Sequence, residues 1–144
     1  MAFVNEKNVL LHQNAANKDE ALRTIANYAA TLGLTDDADA VYDAFQARED
    51  IDKTGMVDGF AVPHCKSDAV KEAAVIIYKN EQPVEWPSLD AMALLIPEGE
   101  GGTTHLRLLS KSAVLLMNAD FKATLRGSDD AAQVAQALNE GLGL

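Results

Sequence analysis

The chain has 144 residues, 48% of them apolar, and a formal net charge of −10, which together predict one soluble globular domain spanning residues 1–144. The acidic balance disfavours binding to nucleic acid and to anionic membranes, because both reward clustered lysine and arginine, and it suits a basic protein partner. A cytoplasmic protein without a membrane insertion is expected, since the chain lacks an apolar run of roughly 20 residues, lacks a signal-peptide pattern and has a single cysteine.

The first third of the chain predicts one strand followed by one helix. Residues 9–13, VLLHQ, have the composition of a short strand. Residues 17–33 predict a helix in which Asn17 and Glu20 form a capping box and Gly33 forms the C-terminal cap. The apolar face of this helix comprises Leu22, Ile25, Tyr28, Ala29 and Leu32.

A second helix is predicted over residues 35–50. Thr35 is its expected N-cap, and the acidic residues that follow suit the positive end of the helix dipole. Val41, Tyr42 and Phe45 recur at helical spacing and predict its apolar side. This helix ends in the sequence ARED, which places Arg48 in its last turn.

The second half predicts two apolar strands and three helices. The strands cover residues 73–80 and 91–97, which are rich in β-branched and aliphatic residues. The helices cover 104–118, with Leu106, Leu109, Ala113, Leu116 and Met117 on one face, then 119–127, and then 128–141, with Ser128 as cap and Val134 and Leu138 facing inward. Interspersed helices and strands predict an α/β or α+β fold with one sheet and helices packed on it.

The stretch GFAVPHCKSD contains the first candidate for chemistry, His64. Pro63 lacks a backbone donor and suits the end or edge of a strand, where the next residue is presented to a surface. Neutral imidazole has a nitrogen lone pair that can take a proton, a metal ion or a phosphoryl group. The alternative is an ordinary, partly buried histidine.

A metal site is the first possibility, with His12, His64, Cys65 and His105 as the available ligands. No two of them have the i, i+4 or Cys-x-x-Cys spacing typical of a zinc site, which disfavours metal. His64 and Cys65 are adjacent, so in an extended chain their side chains point to opposite faces. That alternation also disfavours a cysteine nucleophile with a histidine base, and it predicts that Cys65 is a small buried apolar residue.

A phosphoryl-transfer site requires hydrogen-bond donors around the phosphoryl oxygens. His105 is expected in the first turn of the third predicted helix, behind the glycine-rich stretch GEGGTT, where unpaired backbone N–H groups favour an anion. Arg48 offers a planar pair of donors. The plainer alternatives are a surface histidine for His105 and a solvated helix end for Arg48.

Three blocks of the sequence resemble the enzyme IIA domain of the bacterial phosphoenolpyruvate-dependent sugar phosphotransferase system, in its fructose–mannitol family. They are REDIDKTGMVDGFAVPHCKSDAV, VEWPSLDAMALLIPEG and GGTTHLRLLSKSAVLLMN, and they span most of the chain. The resemblance implies an α/β fold with a mixed β-sheet flanked by helices. It also implies that His64 is transiently phosphorylated, that His105 contacts the phosphoryl group and that Arg48 lies beside the phosphohistidine.

The implied partners are the carrier protein HPr as phosphoryl donor and an enzyme IIB cysteine as acceptor, with no cofactor and no metal. Cys65 departs from the glycine or alanine that many relatives have after the histidine, and the loop before residue 91 is shorter than expected. The chain limits suggest a free-standing subunit. Three rival functions remain open: a regulatory, nitrogen-type enzyme IIA, a non-catalytic binding domain and a metal enzyme.

Overall fold

The fold was analysed in a computed structural model, which describes residues 6–51, 55–56, 60–61, 64–71, 74–80, 90–97, 110–111, 114–115, 117–128 and 130–142. Over these residues, six strands form one mixed sheet and helices flank it. The predicted α/β class is confirmed.

The predicted elements lie close to their expected positions. The described strands are β1 (Val9–Gln13), β2 (Gly55–Met56), β3 (Phe60–Ala61), β4 (His64–Ser67), β5 (Ala74–Asn80) and β6 (Asp90–Pro97). The described helices are α1 (Lys18–Thr31), α2 (Ala38–Ile51), α3 (Ala119–Gly127) and α4 (Ala131–Leu142), and a 3₁₀ turn over Glu6–Asn8 precedes β1.

The ends of α1 follow the sequence prediction. The Asn17 side chain accepts a hydrogen bond from the backbone N–H of Glu20 at 2.9 Å. The Glu20 carboxylate in turn accepts from the N–H of Ala16 at 2.7 Å, so the two residues satisfy donors at the helix start reciprocally. Gly33 has a φ of 79°, the left-handed conformation that glycine adopts without strain just after a helix.

The predicted caps of α2 and of the last helix are wrong by two residues. Asp37, and not Thr35, caps α2, because its carboxylate accepts from the N–H of Ala40 at 3.0 Å. Asp130, and not Ser128, caps α4 by accepting from the N–H of Ala132 at 3.0 Å. In both cases the hydroxyl binds the backbone N–H of the aspartate itself, which tightens the turn before the helix.

β6 organises the sheet. On one side it pairs antiparallel with β5, and β5 pairs parallel with β1. On its other side β6 pairs in parallel with two short strands in succession, first β3 and then β4. Both short strands keep one register with β6, in which Phe60 pairs with Asp90 and His64 pairs with Leu94, and β4 begins at His64.

The main core lies between the sheet and the pair α1 and α2. Leu22 and Ile25 of α1 and Phe45 of α2 are completely buried there. β5 is buried along most of its length, which explains why its sequence is continuously apolar and not alternating. Val134 and Leu138 of α4 are also buried, as predicted.

The third predicted helix falls mostly outside the described residues. Its described parts, 110–111 and 114–115, are helical. Met117, which was expected on the apolar face, is instead 78% exposed in the turn that follows. Met117 therefore does not share the predicted apolar face with Ala113 and Leu116. At Met117 the chain has already left the helix and turned towards α3.

A buried amide ties the start of α1 to the sheet. The Asn80 side chain accepts from the backbone N–H of Ala15 at 2.7 Å and donates to the Ala15 carbonyl at 3.1 Å. The Tyr78 hydroxyl donates to the same Asn80 oxygen at 2.9 Å. Burial raises the pKa of Tyr78 above its ordinary value, because desolvation disfavours the charged phenolate.

Replacing Asn80 by alanine is expected to lower the free energy of unfolding by about 1–3 kcal/mol, because the Ala15 backbone and the Tyr78 hydroxyl lose a partly buried partner. Urea unfolding followed by circular dichroism measures the change. Tyr78→Phe serves for comparison, since it leaves both bonds to Ala15 in place and should cost less. A loss below about 0.5 kcal/mol for Asn80→Ala would contradict the assigned role.

Candidate functional site

His64 lies at the start of an edge segment of the sheet. It is the first residue of β4 and pairs in register with Leu94 of β6. Helix α2 packs on β4, and the His64 side chain is partly buried. His64 thus lies on a strand over which α2 packs, and the proline on which the sequence prediction rested lies outside the described residues.

Arg48 reaches His64 from the last turn of α2. Its Nε–H donates a hydrogen bond to Nε2 of His64 at 2.9 Å, and the pair is partly buried. An imidazole nitrogen that accepts a hydrogen bond carries its lone pair and not a proton. The contact therefore assigns the lone pair to Nε2 and, in the neutral ring, the proton to Nδ1.

The arginine and the histidine meet because of helical periodicity. Val41, Phe45 and Arg48 lie four and three residues apart, so they share one face of α2. Val41 and Phe45 are fully buried, and they fix this face against the core. Arg48 is partly buried at the end of the same face, where its guanidinium reaches His64.

Cys65 points away from the candidate chemistry. It is 2% exposed and belongs to the core cluster that includes Phe45 and Val70. The prediction of a small buried apolar residue is confirmed. Cys65 anchors β4 in the core. Because successive side chains of a strand point to opposite faces, the side chain of His64 takes the opposite orientation.

The other candidate residues have different outcomes. His105 lies outside the described residues, so its place beside His64 stays a prediction. His12 is exposed and has a φ of 57° near the end of β1. Since β5 and β6 stand between β1 and β4, a spacing of about 4.8 Å per strand separates His12 from His64 by at least about 14 Å.

Metal ligands do not converge in this part of the protein. Over the residues that the structure describes, no group of three or more His, Cys, Asp or Glu side chains is placed to hold a metal ion.

Crossing a bilayer requires a long apolar helix, and none of the helices within the described ranges has that length and character.

A polar network between α1 and α2 was not predicted from sequence. Gln46 and Tyr42 of α2 contact Asp19 and Arg23 of α1 through side chains. The i, i+4 spacing of Tyr42 and Gln46 indicates that they share a face of α2. The spacing does not indicate which side chains of α1 contact that face of α2. The packing of the two helices in the structure does.

The comparison with protein families matches residues 2–141 to the phosphoenolpyruvate-dependent sugar phosphotransferase system, EIIA 2. The fold thus falls within a class of phosphoryl-transfer domains. The chain belongs to this EIIA family, and its biochemical role is phosphoryl transfer.

Curated relatives come from both sugar transport and nitrogen regulation. The fructose-specific EIIA component of Haloferax volcanii is 28% identical over 92% of this chain and 89% of its own length. The mannosylglycerate-specific EIIABC component of Escherichia coli is 28% identical over 90% of this chain, which spans only 21% of that protein. The nitrogen regulatory protein of Pseudomonas aeruginosa is 29% identical over 88% of this chain and 86% of its length.

Solved structures share the fold. The nitrogen regulatory protein IIA-Ntr from Neisseria meningitidis has a TM-score of 0.87 at 22% identity, over 94% of this chain and 96% of that one. The IIA mannitol protein of Escherichia coli, solved in complex with phosphorylated IIB mannitol, has a TM-score of 0.76 at 19% identity, over 92% of this chain and 94% of that one.

Proposed function

We propose that His64 accepts a phosphoryl group from the phosphohistidine of HPr and passes it to a cysteine of an enzyme IIB partner. The single observation that carries the assignment is the hydrogen bond from Arg48 Nε–H to His64 Nε2. It leaves a neutral imidazole with its lone pair on one identified nitrogen, beside a cation that suits phosphoryl oxygens.

Each transfer is a displacement at phosphorus. In the first, the lone pair of His64 Nε2 forms the new P–N bond, and the P–N bond of the donor breaks with its electron pair returning to the donor imidazole. In the second, the acceptor thiolate forms a P–S bond and the electron pair of the P–N bond returns to His64. The protein contributes mainly alignment and compensation of the charge on the phosphoryl oxygens.

Arg48 changes partner in this mechanism. While His64 is unmodified, the guanidinium donates to Nε2. Once Nε2 bonds to phosphorus it can no longer accept, so the planar guanidinium turns its donors to the phosphoryl oxygens. His105 is assigned a second donor to these oxygens, as the family resemblance implies, and it is not the acceptor.

The proposed acceptor, a cysteine of an enzyme IIB partner, is inferred from related proteins. A IIA relative of the same fold was solved with phosphorylated IIB, and sugar-specific relatives include one that carries IIA with B and C components in one chain. The net charge of −10 suits donors and acceptors with basic docking surfaces, whose encounter it accelerates.

The test is a two-stage transfer assay with the whole chain. Incubation with phosphoenolpyruvate, enzyme I and cognate HPr should add one acid-labile phosphoryl group, seen by intact mass. Addition of the cognate IIB should then return the chain to its original mass and phosphorylate IIB on cysteine. Absence of an adduct with a donor that phosphorylates another IIA would overturn the proposal.

A regulatory role is the second candidate, favoured by the likeness to nitrogen regulatory proteins in sequence and in fold. The same phosphohistidine would then report the phosphorylation state to a regulatory partner. The two-stage assay separates the functions. A regulatory chain should accept the phosphoryl group but fail to discharge it to any IIB encoded beside it.

His105→Ala is expected to give a folded protein whose phosphoryl transfer is slowed by about 100-fold, the usual cost of losing one donor to a developing negative charge. Rapid-quench measurement of the rate of His64 phosphorylation by phospho-HPr tests it. An unchanged rate would show that His105 is an ordinary surface histidine.

A further inference from the structure

Polar side chains clamp α1 to α2 over the turns of α2 that precede Arg48. The Gln46 amide donates to the Asp19 carboxylate at 2.5 Å and to the Tyr42 hydroxyl at 2.9 Å. The Arg23 guanidinium lies 4.0 Å from the centre of the Tyr42 ring and pairs with Asp39 at 2.6 Å. The clamp thus joins the first turns of α1 to the middle of α2.

The clamp holds a face of α2 other than the one that carries Arg48. At 100° per residue, Tyr42 and Gln46 lie about 100° round the helix from Val41 and Phe45, and Gln46 lies about 160° from Arg48, so the clamp acts on Arg48 through the rotation of the whole helix. Apolar packing of Val41 and Phe45 sets the rotation of α2 coarsely, since burial has no directional preference. Hydrogen bonds to Gln46 are directional and fix the rotation more finely.

A small rotation of α2 about its axis is sufficient to break the hydrogen bond between Arg48 and His64. Side-chain ends lie about 6 Å from a helix axis, so a turn of about 10° moves them by roughly 1 Å. A shift of that size takes the Arg48–His64 distance of 2.9 Å beyond hydrogen-bonding range. Misplacement by about 1 Å is also the scale at which transfer rates fall strongly.

We propose that Gln46 is a positioning residue, which holds the last turn of α2 so that Arg48 Nε meets His64 Nε2. Gln46 is the member of the clamp nearest to Arg48 in sequence. Its bond to the Asp19 carboxylate is charge-assisted but exposed, as is the Arg23–Asp39 pair, whose side chains are 40% and 83% exposed, so water weakens both. Gln46 differs in that it also bonds the Tyr42 hydroxyl in a partly buried position. The inference deepens the proposed function and rests on it.

Two substitutions and one matched control test the role. Gln46→Ala removes the link and should slow transfer from phospho-HPr about 5- to 20-fold. Gln46→Glu keeps the shape but places a carboxylate against Asp19, and should slow it more. Gln136→Ala makes the same chemical change in α4, where the amide donates to Glu140 on an exposed surface, and should alter the rate less than twofold.

The ¹⁵N signals of the His64 ring give a readout that a structural role would not move. At about pH 8.5, where imidazole is neutral, wild-type Nε2 should show the signal of an unprotonated nitrogen. Gln46→Ala and Arg48→Ala should move the Nε2 signal in the same direction, as the proton redistributes between the nitrogens. This comparison needs no phosphoryl donor, so it stands apart from the proposed function.

A double-mutant cycle completes the test. If Gln46 acts through Arg48, Gln46→Ala should slow transfer no further in the Arg48→Ala background. Equal fold-losses in both backgrounds, or ¹⁵N signals unchanged from wild type in either single variant, would overturn the positioning role. A wild-type chain that takes no phosphoryl group but shows the expected ¹⁵N shifts would overturn only the proposed function.

Discussion

His64→Gln is expected to slow phosphoryl acceptance by more than about 10⁴-fold, because it removes the proposed nucleophile. Glutamine keeps a polar side chain of similar reach at the start of β4. Since His64 is only partly buried, the free energy of unfolding should change by less than about 1 kcal/mol. Intact mass after incubation with phosphoenolpyruvate, enzyme I and HPr measures acceptance, and urea unfolding measures stability.

His12 supplies the matched control for this substitution. It is an exposed histidine on the far side of the sheet, and asparagine tolerates its left-handed backbone conformation. His12→Asn should therefore accept phosphate at the wild-type rate. Full labelling of His64→Gln, or loss of labelling in His12→Asn with an intact fold, would move the phosphorylated residue away from His64.

Much of the fold could be predicted from sequence because the signals were local. The β-branched run of β5 and the helical spacing of Leu22, Ile25 and Ala29 depend only on burial of neighbouring side chains, and both elements formed where expected. The caps at Thr35 and Ser128 were misassigned because serine, threonine and aspartate compete for the same N–H groups. In both cases the aspartate two residues later forms the N-cap, and its negative charge also suits the helix dipole.

The site could be predicted only in part. The run before His64 and the position of Arg48 in a helix were readable, and the structure brings these two residues together. Their contact depends on α2 packing across β4, which no local pattern encodes. The same holds for the Gln46 clamp, whose members come from two helices. The role of His105 rested on family resemblance throughout, and it stays a prediction.

Arg48→Ala is expected to slow transfer from phospho-HPr by about 100- to 1000-fold, because the phosphoryl oxygens lose their charged, planar donor. Arg48→Lys should recover only part of this loss. Lysine restores the charge but not the fixed pair of N–H groups that fits a phosphoryl group. Rapid-quench kinetics over a range of salt concentrations separates the two contributions, since the charge component weakens as salt rises.

Lys71→Ala controls for the charge removed with Arg48. It deletes one positive charge from an exposed pair with Asp36, which precedes the start of α2 whereas Arg48 lies in its last turn, and should change the rate less than twofold. If Arg48→Lys transfers as fast as wild type, charge alone suffices and the Nε contact has no catalytic importance. If Arg48→Ala does so as well, the 2.9 Å bond only stabilises the resting histidine. A graded loss from arginine through lysine to alanine is the result that ties the geometry of this bond to the chemistry of transfer.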